Sequence, residues 1–129
     1  MSADALLALA EQLRVEDTPI SPHVIEPGAD TAFVPPGEYA FVIEAVREGY
    51  LLHYDQPRLL AGHDPDLALL AGDYLYALGI ERLATMGDTR AVHVLADLIS
   101  TCAQLHTEGK ETEVPAAWER ATQSLIGAI

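Results

Sequence analysis

The stretch Leu69-Leu70-Ala71-Gly72-Asp73-Tyr74-Leu75-Tyr76 places a glycine and an acid at the centre of an apolar helical run. A generic core helix avoids both. Glycine costs ~1 kcal/mol against alanine in a helix interior, and a desolvated carboxylate needs partners. A specific arrangement is therefore expected around Gly72 and Asp73. From Leu67 to Leu83 the apolar residues point in almost every direction, which predicts a central helix surrounded by others. Gly72 and Gly79 are seven apart and share a face, where small residues admit a neighbouring helix closely. Asp66 and Asp73 are also seven apart, near Tyr76 on the adjoining turn.

The rest of the chain organises around that run. Leu6, Leu9, Ala10 and Leu13 recur at helical spacing and predict a first helix over 3–16. Residues 17–37 hold Pro19, Pro22, Pro27, Pro35 and Pro36, so they read as a linker or extended strap. Its apolar anchor is Ala32-Phe33-Val34, and it is expected either to be disordered or to lie across the helices or a partner. A second helix is expected over 38–54, with Val42, Ile43, Val46 and Tyr50 inward and Glu44, Arg47 and Glu48 outward. Asp64-Pro65 is an N-cap followed by a first-turn proline and starts the third helix. That helix runs to Met86 and stops at a left-handed Gly87. Asp88 caps a fourth helix running to about Glu108, with Val92, Leu95, Ala96, Ile99 and Cys102 as its buried stripe. After a polar turn, Pro115 opens a last helix anchored by Trp118, Leu125 and Ile126. The fold expected is all-α: one domain over 1–129, with about five helices in a mostly antiparallel bundle and the proline strap between the first two.

Charge and cysteine usage narrow the partners. Twenty acids against seven Lys plus Arg give a net charge of −13, which argues against a nucleic-acid backbone or an anionic membrane surface. One cysteine, Cys102, excludes an internal disulfide and any zinc site built on several thiolates. No secretory leader and no membrane span are expected, so a cytoplasmic location is.

The run Leu70-Ala71-Gly72-Asp73-Tyr74-Leu75-Tyr76, then Glu81-Arg82-Leu83-Ala84, Gly87-Asp88 and Leu95-Ala96-Asp97-Leu98-Ile99 resembles the trans-isoprenyl (polyprenyl) diphosphate synthases. It is most similar to the small non-catalytic component of two-component heptaprenyl or hexaprenyl diphosphate synthases. The resemblance covers about a third of the chain, 67–109. Catalytic members of that family carry two aspartate-rich motifs that hold magnesium on a diphosphate. No two consecutive aspartates occur here, and basic residues to grip diphosphate are few and scattered. The resemblance thus implies a regulatory subunit of isoprenoid biosynthesis that binds a catalytic prenyl synthase. It would use no cofactor of its own and meet magnesium only through that partner. Gly72, Asp73, Tyr74, Tyr76 and Gly79 are its interface or structural residues. Self-association through the third and fourth helices is the other partner expected.

Each candidate has a plainer reading beside the functional one. Asp73 is either a functional acid or a buried acceptor that fixes helix register, and the second is favoured because an acid among tyrosines needs partners anyway. Tyr74 and Tyr76 read as core or interface aromatics rather than catalytic phenols. His53, Asp55, His63 and Asp66 flank one loop and could together serve a divalent metal; the alternative is two polar helix ends with a cap. His93 and Asp97 are four apart and read as a surface pair. Cys102, four before His106, reads as a small core residue rather than half of a dyad. The functional alternative is a stand-alone small helical metal- or ligand-binding or interaction protein.

Overall fold

The computed structural model describes residues 4–28 and 30–127. They form five α-helices: α1 (Asp4–Val15), α2 (Ala40–Tyr54), α3 (Pro65–Thr85), α4 (Thr89–Thr107) and α5 (Val114–Ile126). Short 3-10 turns occupy Ser21–His23 and Glu111–Glu113. Among the described residues there is no β-strand, only an isolated bridge between Val24 and Leu60, and no helix is long and apolar enough to cross a membrane. The chain divides into two compact units, Met1–Gly79 and Ile80–Ile129.

In the first unit α1 buries Leu6, Leu9, Ala10 and Leu13, the stripe its spacing predicts. They join Ala45 and Leu52 of α2, Leu59 and Leu60 after it, and Ala71 and Leu75 of α3 in one core. The central helix is α2, not α3. Its buried residues include Val42, Ile43 and Val46 and also Glu44 and Glu48, at 1% and 0% exposure. This corrects the expectation that Glu44, Arg47 and Glu48 face outward. Two irregular segments cross α2 on that side, and their backbone N–H groups need acceptors that water cannot reach.

The glutamates supply them. Glu44 Oε2 accepts from the N–H groups of Phe33 (2.7 Å) and Val34 (3.0 Å). Glu48 Oε2 accepts from those of Arg58 (2.8 Å) and Leu59 (2.9 Å). Between the two carboxylates lies the Arg58 guanidinium, donating to Glu44 Oε1 at 2.6 Å and to Glu48 Oε1 at 2.9 Å. The same guanidinium reaches the Thr31 carbonyl at 3.1 Å. Arg47 lies half-buried with its guanidinium 4.3 Å from the Phe33 ring centroid, a cation–π contact.

The proline strap therefore lies across α2. Ile20 and Val34 are buried and pin it at both ends. Midway it pairs with the connector that follows α2, through Ile25 N–H to Leu59 O (2.7 Å) and Ala61 N–H to His23 O (3.0 Å).

The helix ends follow local chemistry. Asp64 Oδ1 accepts from Leu67 N at 2.7 Å to cap α3, and Asp88 Oδ1 accepts from Ala91 N at 3.0 Å to cap α4. Gly87 and Gly109 take φ of +75° and +73° after α3 and α4, where a side chain would be strained.

The second unit is built on α4 and α5. Ala91, Leu95, Leu98 and Cys102 of α4 are buried, with Val114, Ala117, Trp118, Ala121 and Leu125 around α5. The buried stripe of α4 is thus rotated from the one expected: Ala96 is exposed and Val92 and Ile99 are half-buried. Both stripes are apolar, and the position of α5 decides which is covered. Ile126, expected as an anchor, is 43% exposed on the last turn of α5.

Candidate interaction site on the third helix

Gly72 is explained by what sits against it. A Cβ there would lie 2.3 Å from Cδ2 and 2.4 Å from Nε2 of His53, and 3.0 Å from the Gly49 carbonyl oxygen. A Cβ on Gly49 would in turn meet the Gly72 carbonyl oxygen at 2.8 Å and the Tyr76 ring. The two glycines oppose one another, so α2 and α3 touch backbone to backbone. Gly79 continues the seam, where a Cβ would meet Val46 Cγ2 at 2.8 Å and the Val42 carbonyl oxygen at 3.1 Å.

Into this close crossing α2 lays the His53 ring. Its Nε2 lies 3.1 Å from the Leu69 carbonyl oxygen and 3.3 Å from Asp73 Oδ1. Both neighbours are acceptors, so Nε2 carries the hydrogen and donates. Tyr76 stands edge-on to the ring at 5.1 Å between centroids, and Tyr54 at 5.8 Å. The imidazole is thereby oriented on three sides, and Gly72 is the residue over which it reaches α3.

Asp73 itself is not buried. Its side chain is 73% exposed, which corrects the expectation of a desolvated carboxylate in an apolar helix. The expectation failed because α3 is not enclosed: α2 covers one side, and the opposite side faces outward. Leu69 and Leu70 are 55% and 66% exposed on that outer side. Asp66 and Ala77 are exposed as well. Tyr74 is half-buried, and its hydroxyl donates to Glu16 Oε1 just after α1.

The four residues weighed as a metal set are not drawn together. His53 is engaged by α3, Asp55 is exposed and accepts from Gln56 N at 2.9 Å, and Asp66 is exposed on α3. His63 is half-buried with Nδ1 lacking a hydrogen-bond partner. Among the described residues no three His, Cys, Asp or Glu side chains are grouped closely enough to hold a metal ion. Cys102 is buried, while His93 and Asp97 are exposed on α4.

No family model, curated protein or solved structure matches this chain.

The residues that sequence reasoning missed are Gly49, Glu44, Glu48 and Arg58. Gly49 carried the same signal as Gly72, a glycine inside an apolar helix. The glutamates had a weaker one: few polar positions interrupt the run from Ala40 to Leu52. A second feature outside the sequence reading is an open groove of about 240 Å³ in the second unit, between α4 and α5. Val94, Leu98, Ala117 and Ala121 form its apolar lining, with Asp97, Thr101, Arg120 and Ser124 as the polar positions.

Proposed function

We propose that this chain is a non-catalytic binding subunit: a helical protein that docks on a catalytic prenyl diphosphate synthase through the outer side of α3. The observation that carries the reading is the pair Leu69 and Leu70, both more than half exposed on a helix whose other side is fixed to α2 by opposed glycines. Large apolar side chains presented together on a rigid element mark interaction surfaces. Identification of the partner as a prenyl synthase rests on the resemblance of 67–109 to the small component of two-component polyprenyl diphosphate synthases. The reading is consistent with a chain that has no consecutive aspartates to carry magnesium-bound diphosphate.

The test is affinity purification of the tagged full chain from its host with identification of what is bound. A prenyl synthase recovered near one to one, together with no prenyl transfer by the pure chain on isopentenyl diphosphate and magnesium, is the expected result. Turnover by the pure chain, or a chain recovered alone, overturns it. A stand-alone small-ligand-binding protein is the second reading, and the observation favouring it is the α4–α5 groove.

A further inference from the structure

We infer that the outer stripe of α3 takes one kind of partner segment: an amphipathic helix whose apolar side is bordered by lysines or arginines. The inference rests on the reading above for α3 being an interface, and goes beyond it in naming the chemistry of what binds. Asp66, Leu69, Leu70, Asp73 and Ala77 recur at intervals of three and four, so they line one side of α3. All five are exposed. Two leucines therefore sit between two carboxylates one heptad apart, with a small residue on the next turn that lets a second helix lie close.

The helix cannot roll to hide those leucines. Gly72 and Gly79 hold α3 against α2 at distances where even a methyl group would clash. The His53 ring, bonded to Leu69 O and beside Asp73, sets the rotation further. The stripe is thus presented in a fixed register, the arrangement that helix-in-groove recognition uses.

Charge decides between occupants. Asp66 and Asp73 flank the leucines, and the chain carries −13 overall. A second copy would bring carboxylates against carboxylates, and like-charge juxtaposition disfavours a pairing strongly. A cationic border satisfies both acids. Asp73, held on one side by His53, is still open enough to accept from a lysine or arginine.

The experiment titrates the full chain with a synthetic helical peptide of about 18 residues, leucine-faced and lysine-bordered, long enough to cover the stripe at about 1.5 Å per residue. Saturable binding is expected, with amide chemical-shift changes concentrated over 66–77 and affinity that falls with salt. The double variants Leu69→Gln/Leu70→Gln and Asp66→Asn/Asp73→Asn should each weaken binding by about tenfold or more. Glu111→Gln/Glu113→Gln, the same change of charge on the exposed 3-10 turn Glu111–Glu113, should leave it within about twofold, since neither residue belongs to the stripe.

No binding, equal loss in the Glu111/Glu113 control, or shift changes away from α3 would overturn the inference. So would a glutamate-bordered peptide that binds as well. Chemical-shift mapping on the unsubstituted chain decides the matter even if a variant folds poorly. No prenyl synthase takes part in this titration, so its failure and the failure of the purification test are separate results.

Discussion

The imidazole of His53 occupies the space that a side chain at Gly72 would need, with ring atoms 2.3 and 2.4 Å from where a Cβ would stand. The glycine is therefore present for its neighbour on α2 rather than for flexibility of α3.

Gly72→Ala tests this relationship. Helix propensity alone would favour the alanine by ~1 kcal/mol. The clash outweighs it, because the ring must leave Leu69 O and the Gly49 carbonyl is too close to give way. A net loss of about 1–3 kcal/mol is expected in urea unfolding, the range for overpacking. In Gly72→Ala/His53→Ala the ring is gone, so the double variant should lose less than the sum of the two single losses.

Gly49→Ala should be the more damaging change. Its Cβ would meet backbone, the Gly72 carbonyl oxygen at 2.8 Å, rather than the end of a side chain. The expected order in midpoint denaturant is native, then Gly72→Ala, then Gly49→Ala. The reverse order between the two variants would mean that α2 and α3 can slide apart at Gly49.

Arg58→Ala should destabilise by about 3–5 kcal/mol, the cost of leaving buried charge without its partner. Two carboxylates lose their shared cation at once, and the Thr31 carbonyl loses a donor. Arg58→Lys should recover only part of this. A lysine has no planar fork to bond Glu44 and Glu48 together while also reaching Thr31. Equilibrium unfolding of the three proteins checks the order.

Asp73→Ala should alter stability by no more than about 0.5 kcal/mol, as at other exposed positions. Its effect should appear in partner binding. A large drop in melting temperature would show that the carboxylate, rather than the Leu69 carbonyl, is what holds His53.

Asp88→Ala should cost about 1 kcal/mol through loss of the bond to Ala91 N. Amide exchange at the first turn of α4 should rise with it, while exchange in α1 stays unchanged.

What could be read before the structure was what depends on near neighbours in sequence. The apolar stripe of α1, the caps Asp64 and Asp88 and the left-handed Gly87 all involve residues within a few positions, and each stands where its local pattern puts it. The all-α class follows from the same periodicities. The burial of Glu44 and Glu48 was not legible, because it depends on Arg58 and on strap residues from another part of the chain. A charged residue on a helix reads as outward unless its partner is known. Asp73 goes the opposite way: its apolar neighbours suggest burial, yet exposure is decided by which side of α3 meets α2. For α4 the apolar band is broad, and only the placement of α5 selects Leu98 over Ala96 and Ile99.

The bonding of strap and connector to α2 has a consequence for how the first unit opens. Phe33 and Val34 draw on Glu44, Arg58 and Leu59 draw on Glu48, and Arg58 joins the two acids. Release of the strap alone would strip Glu44 of two donors and Arg58 of the Thr31 carbonyl, so it cannot fray like an ordinary loop. Protection against hydrogen exchange at Phe33, Val34 and Leu59 should therefore match that of α2, and all three should be lost together. A segment rich in proline would then behave, in kinetic terms, as part of the helix it crosses.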